Sequence, residues 1–118
     1  MSEVLNPVDI ETAIRECSNR IAKSVLVCSQ RYDTWLTADR AYDKAFAKAF
    51  LRYEGPANRA KYEAELATET ERKARDDADT AYRYADRQAK ALESELRAWQ
   101  SVNKSVVSMY GAGVGVGR

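Results

Sequence analysis

Residues 31–60 read RYDTWLTADRAYDKAFAKAFLRYEGPANRA, and this stretch decides the fold. Up to Tyr53 its apolar side chains return every seven residues, with Trp35, Tyr42 and Ala49 in one row and Tyr32, Asp39, Phe46 and Tyr53 in a second. Such rows are the d and a seams of a coiled-coil helix. Glu54-Gly55-Pro56 then ends the rhythm. Glycine suits a left-handed helix terminus, and proline cannot continue the ladder but is well placed to open the next helix.

Working outward, the first row runs back through Cys28 and Ile21 to Ile14, and the second to Val25. Asn6 is a helix cap, Pro7 fits the first helical position, and Asp9 stands where a side chain can reach back to the cap. Beyond the break the rhythm resumes as Tyr82, Ala89, Leu96, Asn103 and Tyr110, interleaved with Ala85, Leu92, Trp99 and Val106. A short connection between two long helices makes them antiparallel.

The expectation is an all-α, coiled-coil-like, long antiparallel helical hairpin in a single domain over 1–110. Its helices cover about 7–54 and about 57–110, its turn is 54–57, and a glycine-rich tail of 111–118 docks on a neighbour or stays disordered. Between Thr68 and Thr80 the seam almost vanishes among charged residues, which reads as solvated helix.

Composition narrows the function. A single seam in 118 residues gives a thin core, so the hairpin is expected to draw stability from homo-oligomerisation. Nineteen basic against 18 acidic residues, for a net charge of +1, exclude nucleic-acid or membrane binding by bulk charge. Histidine is absent, so serine and cysteine lack their usual base and no catalytic constellation emerges. The chain is not expected to be an enzyme or to carry a cofactor.

Asp76, Asp77 and Asp79 lie among Arg72, Lys73 and Arg75 and read as helix surface, not as a metal site. Cys17 and Cys28 are about 16 Å apart on one helix, too far to bond, which favours a reducing, cytoplasmic setting. Neither a leader in Met1–Val8 nor an apolar run of membrane-spanning length is evident, so no membrane partner is expected.

Local charge is more informative. Arg40, Lys44, Lys48 and Arg52 follow one another at four-residue spacing, with Arg59 and Lys61 just past the turn. Tyr42, Phe50, Tyr53 and Tyr62 lie close by in the sequence. Cations that track phosphates beside rings on which bases stack form a generic surface for single-stranded nucleic acid. A second basic stripe is Arg83, Arg87, Lys90, Arg97 and Lys104. Asp39, Asp43 and Asp86 are near enough to neutralise part of both.

Asp39 and Asn103 also interrupt the seam, and an ion pair between Asp39 and the Arg72–Arg75 region is expected to set the register. Leu36, Phe50, Val102 and Val107 fall beside the seam, with Leu26, Val27, Leu51 and Leu66 further round, as a candidate oligomer interface.

With these features placed, the chain resembles the UvsY recombination mediators of T-even-like phages. Tyr32, Trp35 and Leu36 reproduce a Tyr-x-x-Trp-Leu step in a long first helix. Arg52-Tyr53-Glu54-Gly55 is similar to the family's basic, aromatic, glycine-turned helix end, and Tyr84-Ala85-Asp86 through Leu92, Leu96, Trp99 and Val106 to its second helix. Tyr32, Trp35, Leu36, Tyr53 and Gly55 are the residues that carry over, in structural roles.

The resemblance implies a ring-like homo-oligomer that binds single-stranded DNA and loads a RecA-like recombinase onto strands covered by single-strand-binding protein, in a host cytoplasm. The basic stripe as the DNA contact comes from the residues themselves. The expected function is thus a non-catalytic, single-stranded-DNA-binding recombination accessory factor. The alternative is a phage structural, assembly or protein-interaction module with no nucleic-acid role.

Overall fold

The computed structural model describes residues 6–116, with side chains over 6–111. Helix α1 spans Pro7–Arg52, a single 3-10 turn covers Ala57–Arg59, α2 is Ala60–Ala67 and α3 is Glu69–Val116. No strand occurs among the described residues. The chain divides into two compact units, one of Met1–Leu26 with Arg87–Arg118 and the other of Val27–Asp86.

In the first unit α1 starts as its sequence dictates. The Asn6 side-chain carbonyl accepts the Asp9 amide at 3.0 Å, and Pro7 occupies the first turn, where its missing N–H costs nothing. Ile14 and Ile21 are half-buried as expected, but the row beside them is Ile10 and Cys17, both buried, followed by half-buried Ser24. Val25 is 66 % exposed, against its expected seam place. An α-helix turns 3.6 residues per revolution, so a strict seven-residue row drifts by about 20° per heptad and its buried companion changes side.

Cys17 marks where α1 meets α3 in this unit. Its thiol donates to the Leu92 carbonyl at 3.3 Å and to Glu95 at 3.5 Å, and Arg20 reaches the same carboxylate at 3.4 Å. Leu92, Leu96, Trp99, Asn103 and Val106 form half-buried rows on α3, while Tyr110 is exposed. Glycine alternation predicts a helix end at Gly111, yet α3 runs to Val116. Glycine weakens a helix by roughly 1 kcal/mol without forbidding it, and no proline intervenes. The tail side chains of 112–118 lie outside the described residues.

In the second unit the chain reverses after Arg52. Tyr32 meets Tyr82 with ring centroids 5.2 Å apart, and the Arg75 guanidinium lies 4.4 Å over the Tyr42 ring, so the two strands of helix run antiparallel here. No described glycine has a positive φ, which corrects the left-handed terminus expected at Gly55. Gly55 is there for closeness instead. A Cβ on it would stand 2.5 Å from the Tyr53 hydroxyl, whose ring folds back over the turn.

The second helix, expected unbroken from residue 57, arrives in pieces. Pro56, at φ −59° and ψ 133°, accepts the Arg59 amide at 3.0 Å and opens the 3-10 turn. Thr68 separates α2 from α3 with φ −119° and ψ 24°. Its amide turns to Glu65, at 3.3 Å, which leaves the Ala64 carbonyl without its helical donor. The Thr68 hydroxyl donates to that carbonyl at 2.7 Å, so the break is satisfied internally although Thr68 is buried.

The phase of the buried row survives the break. Ala64, Glu71, Ala78 and Ala85 recur at seven-residue spacing; the three alanines are buried and Glu71 is half-buried. The seam therefore does not vanish between Thr68 and Thr80. It continues on alanine methyls, with one carboxylate among them.

Candidate nucleic-acid interface

Arg40, Lys44, Lys48 and Arg52 are all exposed on α1. None of the four makes an ion pair among the described residues. The cause is local. On a helix the partners of a charged residue stand mainly four positions away, and four positions along this ridge is always another cation, the apolar Leu36 or Pro56. Each step of four residues also advances about 40° round the helix, so the ridge winds and is not a straight line.

Where an acid does stand at that spacing, the charge is spent. Arg59 pairs with Glu63 at 3.1 Å, Arg83 meets both Asp79 oxygens at 3.1 Å, and Lys73 pairs with Asp77 at 2.8 Å, the carboxylate raising the ammonium's pKa through its hydrogen bond and then its charge. Asp76 pairs with Arg75 at 3.3 Å, so the three aspartates serve as ion-pair partners on the helix surface. Lys61 is exposed and makes no ion pair among the described residues.

The second stripe is less open. Arg83 belongs to the second unit and is neutralised, Lys90 is not free, and Arg97 donates to Ser94 at 3.2 Å. Arg87 and Lys104 remain exposed, without ion pairs among the described residues. Arg97 and Lys104 share a shallow groove with Gln100 and Asn103 in the first unit.

The seam ion pair expected of Asp39 does not form. Arg75 turns to Asp76 and to the face of Tyr42, and Asp39 is half-buried without an ion pair among the described residues. A guanidinium resting on a ring keeps its edge in water, whereas a pair inside the seam would desolvate two charges. One Tyr42 face is thereby occupied. Tyr42, Phe46 and Phe50 form a ladder along α1 at 6.1 and 6.3 Å, and Phe50 and Tyr62 present exposed ring surface.

The ridge closes onto a groove of about 480 Å³ between the end of α1 and the α2–α3 break. Lys48 and Arg52 stand on it with Tyr53, Glu63, Thr68 and Glu71. One Glu71 carboxylate oxygen is shut away from water and has no hydrogen-bond donor among the described residues. The sequence reading missed Glu71. The signal was there, since Ala64, Ala78 and Ala85 extend the Leu92–Trp99 row back through it.

Of the candidate interface residues, Leu36 and Val102 are half-buried, while Phe50 and Val107 are 44 % and 56 % exposed. Leu26, Leu51 and Leu66 are more exposed still, Leu51 at 82 %. No helix among the described residues is long and apolar enough to cross a membrane. No protein-family model, curated protein or solved structure matches the chain.

Proposed function

We propose that this protein is a non-catalytic, self-associating factor that binds single-stranded DNA along the α1 ridge. The observation that carries the reading is the row Arg40, Lys44, Lys48 and Arg52, exposed and without a carboxylate partner among the described residues. Three successive like-charge neighbours at four-residue spacing each cost a helix roughly 0.2–0.5 kcal/mol. A polyanion laid along them removes that cost and releases counterions. Exposed Phe50 and Tyr62 offer stacking surface for unpaired bases.

Self-association is supported by the core and the surface together. Among the described residues the buried apolar side chains are Ile10, Cys17 and four alanines, and of these only Ile10 is large. At about 0.8 kcal/mol per buried methylene, alanines contribute little, while leucines at 26, 51 and 66 stand in water. Copies arranged side by side bury those leucines and multiply a weak per-protomer DNA contact through effective concentration. Loading of a RecA-like recombinase is the finer role, carried by the resemblance to recombination mediators. The same exposed leucines favour the second reading, an assembly module whose charge serves neighbour contacts.

Fluorescence anisotropy of a labelled oligo-dT decides between them. Binding at low salt that is weakened at least tenfold by K44A/K48A/R52A supports the DNA reading. Absence of binding, or an unaffected triple variant, removes it. Light scattering that finds only monomer at micromolar concentration removes self-association.

A further inference from the structure

In the first unit α3 outlasts the helix it packs against. Cys17 lies against Leu92 and Glu95, and from there the buried row of α1 runs back to Ile10 while the half-buried rows of α3 run on to Val106. The two helices are therefore antiparallel in this unit as well. Asn6 is eleven residues before Cys17, and eleven residues after Leu92 and Glu95 come Asn103 and Val106, so α1 starts opposite that point. Beyond it α3 continues from Val107 to Val116, about 15 Å of helix with no described part of α1 opposite.

The overhang keeps the phase of the seam. Tyr110 follows half-buried Leu96 and Asn103 at seven-residue steps, yet it is exposed, and Val107 and Met109 beside it are exposed too. No charged residue occurs between Lys104 and Arg118. A helix face that carries the apolar seam past the end of its partner is half of a helix–helix contact.

Gly111 supplies an independent observation. Glycine weakens a helix, and at Gly55 the Tyr53 ring requires it, but a Cβ on Gly111 would meet nothing within 4 Å. Its own described chain gives it no reason to be small. Close approach of an outside backbone does.

What completes the seam has to be a helix, apolar and antiparallel to α3, as α1 is. A second overhang, reversed by a two-fold axis beside Tyr110, is such a helix and has the same length. Charge agrees with that register. The last turn of α3 holds no basic residue to meet its free carbonyls, and Lys104 is exposed without an ion pair among the described residues. Lys104 is six residues before Tyr110 and Val116 six after, so the axis brings each Lys104 beside the negative helix end of the other copy.

We infer that the α3 overhang is a tail-to-tail interface with a second copy of this chain, an isologous antiparallel contact centred on Tyr110. It is a different surface from the leucines at 26, 51 and 66 and does not need them.

Disulfide trapping tests the register. In a C17S/C28S background, Tyr110→Cys should give at least about tenfold more copper-phenanthroline-linked dimer than Ser101→Cys, which lies on the far side of α3 and away from the axis. Little cross-linking of Tyr110→Cys, or equal cross-linking of both, overturns the contact. So does a Tyr110→Cys thiol closed to maleimide in the monomer, because the face is then covered from within the chain.

Sedimentation tests the contact with the natural cysteines in place. L26S/L51S/L66S, folded by circular dichroism, should still dimerise, and adding Y110E, which puts an unpaired charge at the axis, should weaken the dimer at least about tenfold. An unchanged dimer in the Y110E variant overturns the inference. If wild type associates but the triple leucine variant is only monomeric, the tail contact falls and side-by-side association stands. If wild type is only monomeric, both fall.

Discussion

Replacing Glu71 with leucine should stabilise the protein. The position belongs to a buried row of alanines, yet it carries a carboxylate with one oxygen cut off from water and from any donor among the described residues. Relief of an unmatched buried acceptor is worth about 1–3 kcal/mol. Glu71 is half-buried, so a leucine there recovers about half of the 1.5–3 kcal/mol of a fully buried one, about 1 kcal/mol. Taking the lower end of the first figure, the sum is about 2 kcal/mol.

For a chain of 118 residues that corresponds to a rise in Tm of roughly 8 °C. The assay is thermal unfolding followed by circular dichroism at several protein concentrations, because association shifts Tm by mass action. E71A should gain less, since it removes the stranded oxygen but fills no space. An unchanged or lowered Tm for E71L would refute the reasoning, because it would mean that the carboxylate is properly solvated or paired in the folded protein.

Three further predictions follow from the same geometry. Thr68→Val keeps the shape at the α2–α3 break but leaves the Ala64 carbonyl without its 2.7 Å donor, so urea denaturation should show a loss of about 1–3 kcal/mol; a change under about 0.3 kcal/mol would contradict the role given to the hydroxyl. Lys48→Ala should flatten the salt dependence of single-strand binding by about 0.7 in the log–log slope, whereas Arg83→Ala, already neutralised by Asp79, should barely alter it. Equal effects of the two would deny that ion pairing decides which cations meet DNA.

The third concerns Cys17, whose thiol is pushed above its ordinary value of 9.0, first by burial and then by the hydrogen bond to Glu95 and its charge, with Arg20 opposing. A raised pKa favours the protonated thiol in the folded state. Its contribution is therefore complete below pH 9.0 and is lost as pH rises through the folded value. In a Cys28→Ser background, denaturation midpoints should fall on the alkaline side of that point, and Cys17→Ser should remove the fall. A pH-independent midpoint in both would overturn the assignment.

Much of the architecture depends only on near neighbours in the chain, which is why it could be read before any coordinates. The Asn6-Pro7 start, the stop at Gly55-Pro56 and the α3 rows from Tyr82 to Val106 are properties of local sequence and helical period. So is the openness of the ridge, because salt-bridge partners on a helix stand at fixed offsets and Arg40 to Arg52 have no acid four residues away. The ion pairs of Arg59 and Arg83 follow the same rule and could have been subtracted from the basic stripes at the outset.

What required the fold is whatever depends on which helix surface meets another. Local sequence fixed the period of the rows but not their phase, since a small drift per heptad decides whether Ile10 and Cys17 or Val25 turns inward. It marked Gly55 as a turn residue but not as the one that admits the Tyr53 ring. The choice of Arg75 for Tyr42 over Asp39, and the seating of the Glu71 carboxylate in a row of buried alanines, arise only when distant segments pack. Periodicity and charge spacing are carried by the chain alone, whereas burial, and with it the energetic consequence of every polar group, is set by what the folded neighbours leave open to water.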